Sequence, residues 1–253
     1  MSTQKEIPVS RETVVEHFTA RAERYNNSSH WCTDPELRAF VLGHLEPATT
    51  DDVLDVACGT GLVSAWFHGN VNKLVGADIT RAMFDQAAQF TDEMVVAPGE
   101  ALPFEDNTFD LAICRQGIQF MDAPAAVAEM VRVVKPGGKV CIINLCAYGA
   151  VDEEETFEIQ RLRNPARRNF FFREDLQNLL DGAGCSSAHV HDWLSDENVE
   201  IWSDNGAIAN ERIEGIRDIY RNASGRFRDL HRVRETENGF IDRMIFGVAI
   251  GVK

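Results

Sequence analysis

The sequence is short of positive charge and has no long apolar run. Its 253 residues contain 25 Lys and Arg against 40 Asp and Glu, which gives a formal net charge of −15. Proteins that neutralise nucleic-acid phosphates or lie on an anionic membrane need a basic surface, so this deficit argues against both partners. No stretch approaches the roughly 18 apolar residues of a transmembrane helix. Residues 1–10 lack the charged and apolar regions of a signal peptide, so we expect a cytoplasmic protein.

The sequence also has no CxxC pair. Its six cysteines are scattered and mostly lie within apolar runs, which is typical of reduced, buried thiols. With 44% hydrophobic residues, the chain can form one large or two small domains around a substantial core. Composition therefore favours a globular protein with a small-molecule partner.

Short apolar runs alternate with helical patterns from about residue 53 onward, which is typical of βαβ units that build a parallel sheet. Apolar residues at helical spacing predict an N-terminal helical cap within residues 10–45 and a helical insert at 196–240, before the last strand. We expect other helices at residues 62–68, 81–90, 123–134 and 173–181. The seven expected strands are residues 53–57, 73–77, 93–97, 109–114, 139–145, 188–194 and 243–252.

Residues 53–64 form the most informative segment: a strand that ends in an acid, a small-residue turn and the start of a helix. Gly59 and Gly61 allow the backbone to turn sharply and to approach a ligand beyond the carboxyl end of the strand. Asp78 ends the next strand 17 residues after Gly61, where an acid accepts hydrogen bonds from two ribose hydroxyls. The pattern predicts a site of nucleotide type.

A glycine turn of this kind also serves dinucleotide ligands. A dinucleotide fingerprint needs a third glycine where Ser64 stands, and Asp55 would meet a pyrophosphate with a like charge. Asp55 suits a cationic amino group instead. A ligand with an ammonium, a carboxylate and an adenosine, such as S-adenosylmethionine, satisfies both Asp55 and Asp78. A nicotinamide oxidoreductase and a non-catalytic cofactor-binding or partner-binding module stay open as alternatives.

Five motifs follow one another along residues 53 to about 145. They are DVACGTG at 55–61, Asp78, EALPF at 100–104, NTFD at 107–110 and RVVKPGG at 132–138. In this order they resemble the motifs of the class I S-adenosylmethionine-dependent methyltransferases, and within that class the type 11 branch with the ubiquinone and menaquinone biosynthesis enzymes. Residues 18–25 also resemble the helix that precedes the family's core.

The resemblance implies an α/β, Rossmann-like fold with a seven-stranded, mostly parallel sheet, an antiparallel last strand and helices on both faces. It implies a single methyltransferase domain with S-adenosylmethionine as its cofactor. Within residues 1–253 we expect a cap at 1–50, a cofactor-binding core at 51–145 and a substrate-side half at 146–253.

The resemblance also implies roles for particular residues. Asp78 would hold the ribose, and Ile79 and Met83 would flank the adenine. The implied cofactor-binding residues are Tyr25, Asp55, Ala57, Cys58, Gly59, Gly61, Asp78, Ile79, Met83, Gly99, Glu100, Ala101, Cys114 and Arg115.

Two positions depart from the family pattern. Ala57 stands where a glycine is common, and Pro98 lies in a segment that usually reads Gly-Asp-Ala-Glu. Because Pro98 has neither a carboxylate nor an N–H, we expect backbone groups of Gly99 and Glu100 to hold the adenine.

Methyl transfer from a sulfonium is an in-line displacement in which the enzyme mainly aligns two reactants, and a base is needed only where the acceptor loses a proton. The loop at 114–120 should line the transfer site, which makes Gln116 a candidate catalytic residue. His30 and Tyr25 are candidate bases, with His17 and His231 as further histidines to consider. The loop lacks the Asn/Asp-Pro-Pro-Tyr/Phe sequence that resembling enzymes use on amides and nucleobase amines, which argues against methylation of DNA bases or of protein glutamine. The tryptophans and the run of three phenylalanines at 170–172 suit a flat ligand, so we expect a small, aromatic or heteroaromatic acceptor.

The late part of the chain is rich in arginine: 13 of its 14 basic residues after residue 160 are Arg. Arg161, Arg163, Arg167, Arg168 and Arg173 surround a run of three phenylalanines. They either recognise an anion through their guanidinium groups or offset the acids at 152–158, and both interpretations stay open. His189 and His191 share a strand face, but no third ligand accompanies them, so no metal is expected.

Overall fold

The centre of the molecule is one eight-stranded sheet. The computed structural model describes residues 9–22 and 33–253, so the predicted site residues Tyr25 and His30 lie outside the described residues. The strands are β1 (Asp52–Val56), β2 (Lys73–Asp78), β3 (Glu93–Val96), β4 (Phe109–Arg115), β5 (Val134–Cys146), β6 (Ser187–Asn198), β7 (Arg234–Thr236) and β8 (Gly239–Val252).

The strand order is β3-β2-β1-β4-β5-β8-β6, and the short β7 pairs with β8 off this path. Strands β1 to β5 pair in parallel, whereas β8 lies antiparallel to both β5 and β6. The predicted mostly parallel sheet with an antiparallel last strand is confirmed. The hairpin of β7 and β8 is an addition that the seven predicted strands did not include.

Helices cover both faces of this sheet, as predicted. Along β5, Val140 and Ile142 join one apolar cluster with helices α5 (Ala123–Val133) and α7 (Arg173–Gly182). Cys141 and Ile143 join a second cluster with α2 (Pro35–Leu45) and α3 (Ser64–Phe67). This alternation follows from the two-residue period of a strand. The helices are α1 (Arg11–Arg21), α2 (Pro35–Leu45), α3 (Ser64–Phe67), α4 (Phe84–Ala87), α5 (Ala123–Val133), α6 (Glu153–Arg163), α7 (Arg173–Gly182), α8 (Val199–Ser203), α9 (Asn210–Asn222) and α10 (Gly225–Leu230).

Several helices differ in length from the prediction. Helix α3 has only four residues, because Gly61 and Gly69 flank it with left-handed φ angles of 82° and 73°. The expected helix at 81–90 is a 3₁₀ turn (Arg81–Met83) followed by α4. The helical insert before the last strand is confirmed, but it is shorter than 196–240 because β6 extends to Asn198 and β8 begins at Gly239.

Helix α6 was not predicted from the sequence. Its inward residues include the buried polar side chains Thr156 and Gln160, and Ile159 is the one buried apolar residue of the helix. A helix without an apolar stripe gives no periodic hydrophobic signal. It is held by its contact with α9 and by Ile159, which joins a third apolar cluster built mainly from the insert.

A buried polar network ties this third cluster to the sheet. The ring of His231, which follows α10, contacts Asp242 of β8 through Nδ1 at 2.8 Å and Asp152 before α6 through Nε2 at 3.1 Å. The hydroxyl of Tyr220 donates to the other oxygen of Asp242 at 2.5 Å. Phe227 stacks on the His231 ring at a centroid distance of 3.9 Å. The network joins α6, α9, α10 and β8.

His231 carries charge in this network. Burial alone lowers the pKa of His231, but the hydrogen bonds to Asp152 and Asp242 outweigh it and raise the pKa to about 9. Because the ring is protonated at neutral pH and both nitrogens are engaged, the structure gives His231 a structural role instead of that of a base.

We expect His231→Gln to destabilise the protein by about 3 kcal/mol near pH 6, because two buried carboxylates lose their cationic partner. A raised histidine pKa stabilises the fold fully below the unfolded value of about 6.5, and this contribution is lost as pH rises through about 9. The difference in free energy of unfolding between wild type and variant, measured with denaturant, should therefore shrink between about pH 6 and pH 10. The exposed His189 serves as a control, because His189→Gln should change stability little. A gap that is constant or grows with pH would contradict this role.

Candidate functional site

The turn after β1 brings the backbone to the carboxyl edge of the sheet. Ala57, Gly59 and Gly61 all have left-handed φ angles, of 55°, 54° and 82°. A Cβ on Gly61 would lie 2.8 Å from the Cα of Ala87, so the close contact with α4 requires glycine there. A Cβ on Gly59 would meet no atom of residues 9–22 and 33–253 within 4 Å, so space is left there beside the turn. Ala57 adopts a conformation that costs a non-glycine residue about 1 kcal/mol or more, which is typical of a functional turn.

Asp78, at the end of β2, fixes this turn. One of its carboxylate oxygens accepts a hydrogen bond from the N–H of Gly59 at 2.9 Å, and the other accepts one from the N–H of Thr80 at 2.7 Å. Burial raises the pKa of Asp78 despite these bonds. A carboxylate has about four lone-pair sites, so both oxygens keep the capacity to accept further bonds from a ligand.

A cleft opens where these strand ends meet, with about 690 Å³ of empty space that includes open solvent. We call it the strand-end cleft. It brings together eight of the predicted site residues. These are Ala57, Gly59, Asp78, Ile79, Met83, Gly99, Glu100 and Gln116.

Six other predicted site residues do not line this cleft. Asp55 is buried in β1, where it accepts a hydrogen bond from the Ser64 hydroxyl at 2.6 Å. Burial raises the pKa of Asp55 to about 7, although Ser64 and the charge of Arg115 lower it. Of the others, Cys58 and Gly61 belong to the turn itself, Cys114 and Arg115 are buried at the end of β4, and Ala101 is exposed.

Several lining residues carried no assigned role in the sequence analysis. Phe18 of α1 meets Phe120 edge-on at a centroid distance of 4.9 Å and closes one side of the cleft. Arg11 forms an ion pair with Glu100 at 3.8 Å. Apolar spacing and the resemblance of residues 18–25 both pointed to this helix, but neither assigned a role to these side chains. The remaining such residues are Val14, Thr80, Ala97, Pro98, Gly117 and Met121.

A second space adjoins the cleft. We call it the polar chamber; its empty space, which includes open solvent, is about 340 Å³, and it shares Gln116 and Phe120 with the strand-end cleft. Its wall comes from β5, α6, α8, β8 and the loops that follow β4 and α6. The lining residues are Gln116, Gln119, Phe120, Leu145, Gln160, Arg163, Asn164, Arg167, Trp202 and Phe246.

Gln116 holds the boundary between the two spaces in a left-handed backbone conformation, with φ of 55°. Its N–H donates to the carbonyl of Ile143 at 2.8 Å, which fixes the loop to the end of β5. The amide of Gln119 donates to both the carbonyl and the side-chain oxygen of Gln116, at 3.0 and 2.9 Å. Strain of this kind at a cleft is consistent with a functional position.

The further candidates lie elsewhere. His17 is buried in α1 with its ring against Phe18, and His191 of β6 contacts the ring of His44 at 4.4 Å. Among residues 9–22 and 33–253, no three His, Cys, Asp or Glu side chains are placed to hold a metal ion. No helix in this part of the chain is both long and apolar enough to cross a membrane.

Some of the late arginines pair with acids, and others line the polar chamber where an anion could be recognised. Arg161 pairs with Glu158 at 2.6 Å, and Arg173 pairs with Asp192 at 2.6 Å, so these two offset nearby acids. Arg163 and Arg167 line the polar chamber. The side chain of Arg168 is exposed.

Comparison with known proteins identifies the family. A family model for a methyltransferase domain matches residues 54–142. The chain is 31% identical over 214 residues to the malonyl-[acyl-carrier protein] O-methyltransferase of Salmonella typhimurium, an alignment that covers 82% of this chain and 80% of that protein. It is 28% identical over 208 residues to the demethylmenaquinone methyltransferase of Beutenbergia cavernae, covering 79% and 81%. The chain belongs to the class I S-adenosylmethionine-dependent methyltransferases, in the type 11 family.

A solved structure shows the same fold. The crystal structure of the YcgJ protein from Bacillus subtilis superposes with a TM-score of 0.79, at 22% identity, over 87% of this chain and 99% of that one. The predicted family and fold are confirmed. The chain is a methyltransferase enzyme with S-adenosylmethionine as its cofactor, which decides against a nicotinamide oxidoreductase and a non-catalytic module.

The strand-end cleft fits this cofactor on its own geometry. The open space at Gly59 leaves room for a ligand against the turn, and a side chain there would fill it. Asp78 offers unused lone pairs in the same cleft for vicinal hydroxyls. Both features match a ligand that carries a ribose.

Asp78→Asn should weaken the binding of S-adenosylhomocysteine by about 1–3 kcal/mol, roughly 5- to 150-fold, because the strand-end cleft loses a charged hydrogen-bond acceptor. Titration calorimetry measures this directly. Asp85→Asn, which removes an exposed carboxylate from neighbouring α4, is the matched control and should leave affinity unchanged. Equal affinities for wild type and Asp78→Asn would remove Asp78 from the site.

Asp55→Asn should change how stability depends on pH. Because the folded-state pKa of Asp55 is raised from 3.8 to about 7, the folded protein holds a proton that the unfolded chain releases, and stability falls as pH rises through this window. The variant lacks this loss. Its free energy of unfolding, compared with that of wild type at the same pH, should therefore rise by about 3 kcal/mol between about pH 4 and pH 8. Denaturant unfolding of both proteins across this range is the measurement. Parallel stability curves would show that Asp55 does not titrate there.

Proposed function

We propose that the enzyme methylates a small, aromatic or heteroaromatic acceptor that binds in the polar chamber. The observation that carries this proposal is the shared boundary: Gln116 and Phe120 line both the strand-end cleft and the polar chamber. A ligand in each space would meet at these two residues. Such an arrangement supplies the proximity and alignment on which a displacement reaction depends.

Residues of the strand-end cleft hold the cofactor in this proposal. When bound, S-adenosylmethionine supplies an electrophilic methyl group that leaves its sulfur as the acceptor bonds to it. Asp78 accepts hydrogen bonds from the ribose hydroxyls, and Ile79 and Met83 flank the adenine. Gly99 and Glu100 offer backbone groups to the adenine edge beside Pro98. Asp55 acts from behind the turn, through Ser64 and the backbone it supports.

The walls of the polar chamber favour a flat acceptor. Phe120, Trp202 and Phe246 contribute aromatic rings, and aromatic rings stack or meet edge-on with a planar ligand. Among the described residues that line the chamber there is no His, Asp or Glu. Gln116 cannot take a proton, so it aligns the acceptor, and the bases we propose stay His30 and Tyr25.

We further propose that the three parts at 1–50, 51–145 and 146–253 work as one domain. A small-molecule acceptor, with no nucleic-acid partner, is consistent with the net charge of −15. A cytoplasmic location is supported by the described cysteines, all five of which are free thiols.

Turnover tests this proposal. We expect the wild-type enzyme to form S-adenosylhomocysteine from S-adenosylmethionine with at least one member of a panel of small phenols, heteroaromatic amines and hydroxylated aromatic acids. Asp78→Asn should raise the KM for S-adenosylmethionine by about tenfold or more, and Asp85→Asn should behave as wild type. Turnover of aliphatic acceptors alone would contradict an aromatic acceptor. A protein that binds S-adenosylmethionine but methylates no small acceptor would contradict the whole proposal.

A further inference from the structure

We propose that the polar chamber binds an anionic oxygen group of the acceptor, such as a carboxylate, through Arg167, Gln160 and Asn164. This inference rests on the proposed function, because it assigns a class of acceptor to the same site. The anionic group would lie at the α6 end of the chamber, and the atom to be methylated would lie at the Gln116 end.

Gln160 is the first observation. The residue is 2% exposed, and neither its amide nitrogen nor its side-chain oxygen has a hydrogen-bond partner among the described residues. A buried polar group without a partner costs about 1–3 kcal/mol. Gln160 sits on the inner face of α6 and lines the polar chamber. Two unused polar atoms at one buried position indicate that a ligand completes the site.

Other amide donors point the same way. The oxygen of Asn164 accepts from the N–H of Ala166 at 3.0 Å, which identifies its nitrogen, and that buried nitrogen has no partner. The oxygen of Gln116 is likewise identified by the bond from Gln119, and the buried nitrogen of Gln116 also has no partner. The amide orientations therefore follow from the hydrogen-bond network. Three amides offer N–H groups to one space.

Arg167 supplies the charge. Its guanidinium donates to the carbonyls of Asn169 at 2.9 Å and Leu145 at 3.4 Å, and it lies 5.4 Å from the ring centre of Phe170. In the part of the chain that the structure describes, no carboxylate forms an ion pair with it, unlike Arg161 and Arg173. Burial lowers the pKa of Arg167 to about 9, so the group stays charged at neutral pH but is poorly solvated.

This combination selects the ligand chemistry. A partly desolvated cation without a counter-ion gains most from an anion, and a guanidinium fork with neighbouring N–H donors matches a carboxylate. The described lining residues include no acid that would repel one. A neutral acceptor would engage the amides but would leave the charge of Arg167 uncompensated.

Calorimetry on the enzyme saturated with S-adenosylhomocysteine tests the proposal, with matched probe pairs: benzoate and benzamide, phenylacetate and phenylacetamide, salicylate and salicylamide. We expect at least one carboxylate to bind about tenfold or more tightly than its amide. Arg167→Gln should abolish this preference and leave the affinity for S-adenosylhomocysteine unchanged. Arg168→Gln changes an exposed guanidinium of the same loop and should have no effect.

Gln160→Leu separates ligand binding from a structural role. Because Gln160 has unsatisfied polar atoms, we expect the variant to be as stable as wild type or more so in denaturant unfolding, while carboxylate binding falls about fivefold or more. A loss of stability without a loss of probe binding would assign Gln160 to the fold and contradict the proposal.

Two further outcomes would overturn the inference: amides that bind as tightly as their carboxylates, or no binding of any carboxylate to the loaded enzyme. The proposed function fails on a different observation. If the protein does not bind S-adenosylhomocysteine, or methylates no small acceptor, the reaction itself is wrong. If the protein binds S-adenosylhomocysteine but the chamber shows no preference for carboxylates over amides, the proposed methyl transfer is unaffected. Only the proposal of an anionic group on the acceptor is then wrong.

Discussion

The carboxylate of Asp78 accepts hydrogen bonds from the N–H groups of Gly59 and Thr80, and the shape of the site depends on this pair of bonds. They connect the turn after β1 to the end of β2, so two neighbouring strand ends present one continuous backbone surface. The turn itself needs left-handed residues, and Gly61 is forced to be glycine by its contact with α4. The sheet thus provides a rigid edge where a ligand can meet backbone and carboxylate together.

The polar chamber differs from the buried network around His231. In that network the side chains of His231, Asp152, Asp242 and Tyr220 bond to one another and join three helices and the last strand. In the chamber, Gln160 and Asn164 are buried with atoms left without partners. Unsatisfied polar groups of this kind reduce stability, and local costs of this sort are common at functional sites.

The sequence predicted the parts of the molecule that rest on local rules. Parallel strands, the glycine turn and Asp78 could be identified because strand ends and left-handed residues leave clear local patterns. Helix α6 could not, because Thr156 and Gln160 replace the expected apolar stripe. The chamber could not be predicted either, since it unites the loop after β4 with residues 160–167, Trp202 and Phe246, which only the topology brings together. The full burial of Asp55 depends on its neighbours on both sides of β1 and is equally invisible in the local pattern.

We propose that cofactor and acceptor meet at Gln116, between the strand-end cleft and the polar chamber. A crystal structure of the enzyme with S-adenosylhomocysteine tests this most directly. We expect the ribose hydroxyls to lie within hydrogen-bond distance of Asp78 and the sulfur to face Gln116 and the opening of the chamber. Density for the ligand outside the cleft, or a sulfur turned away from Gln116, would contradict it.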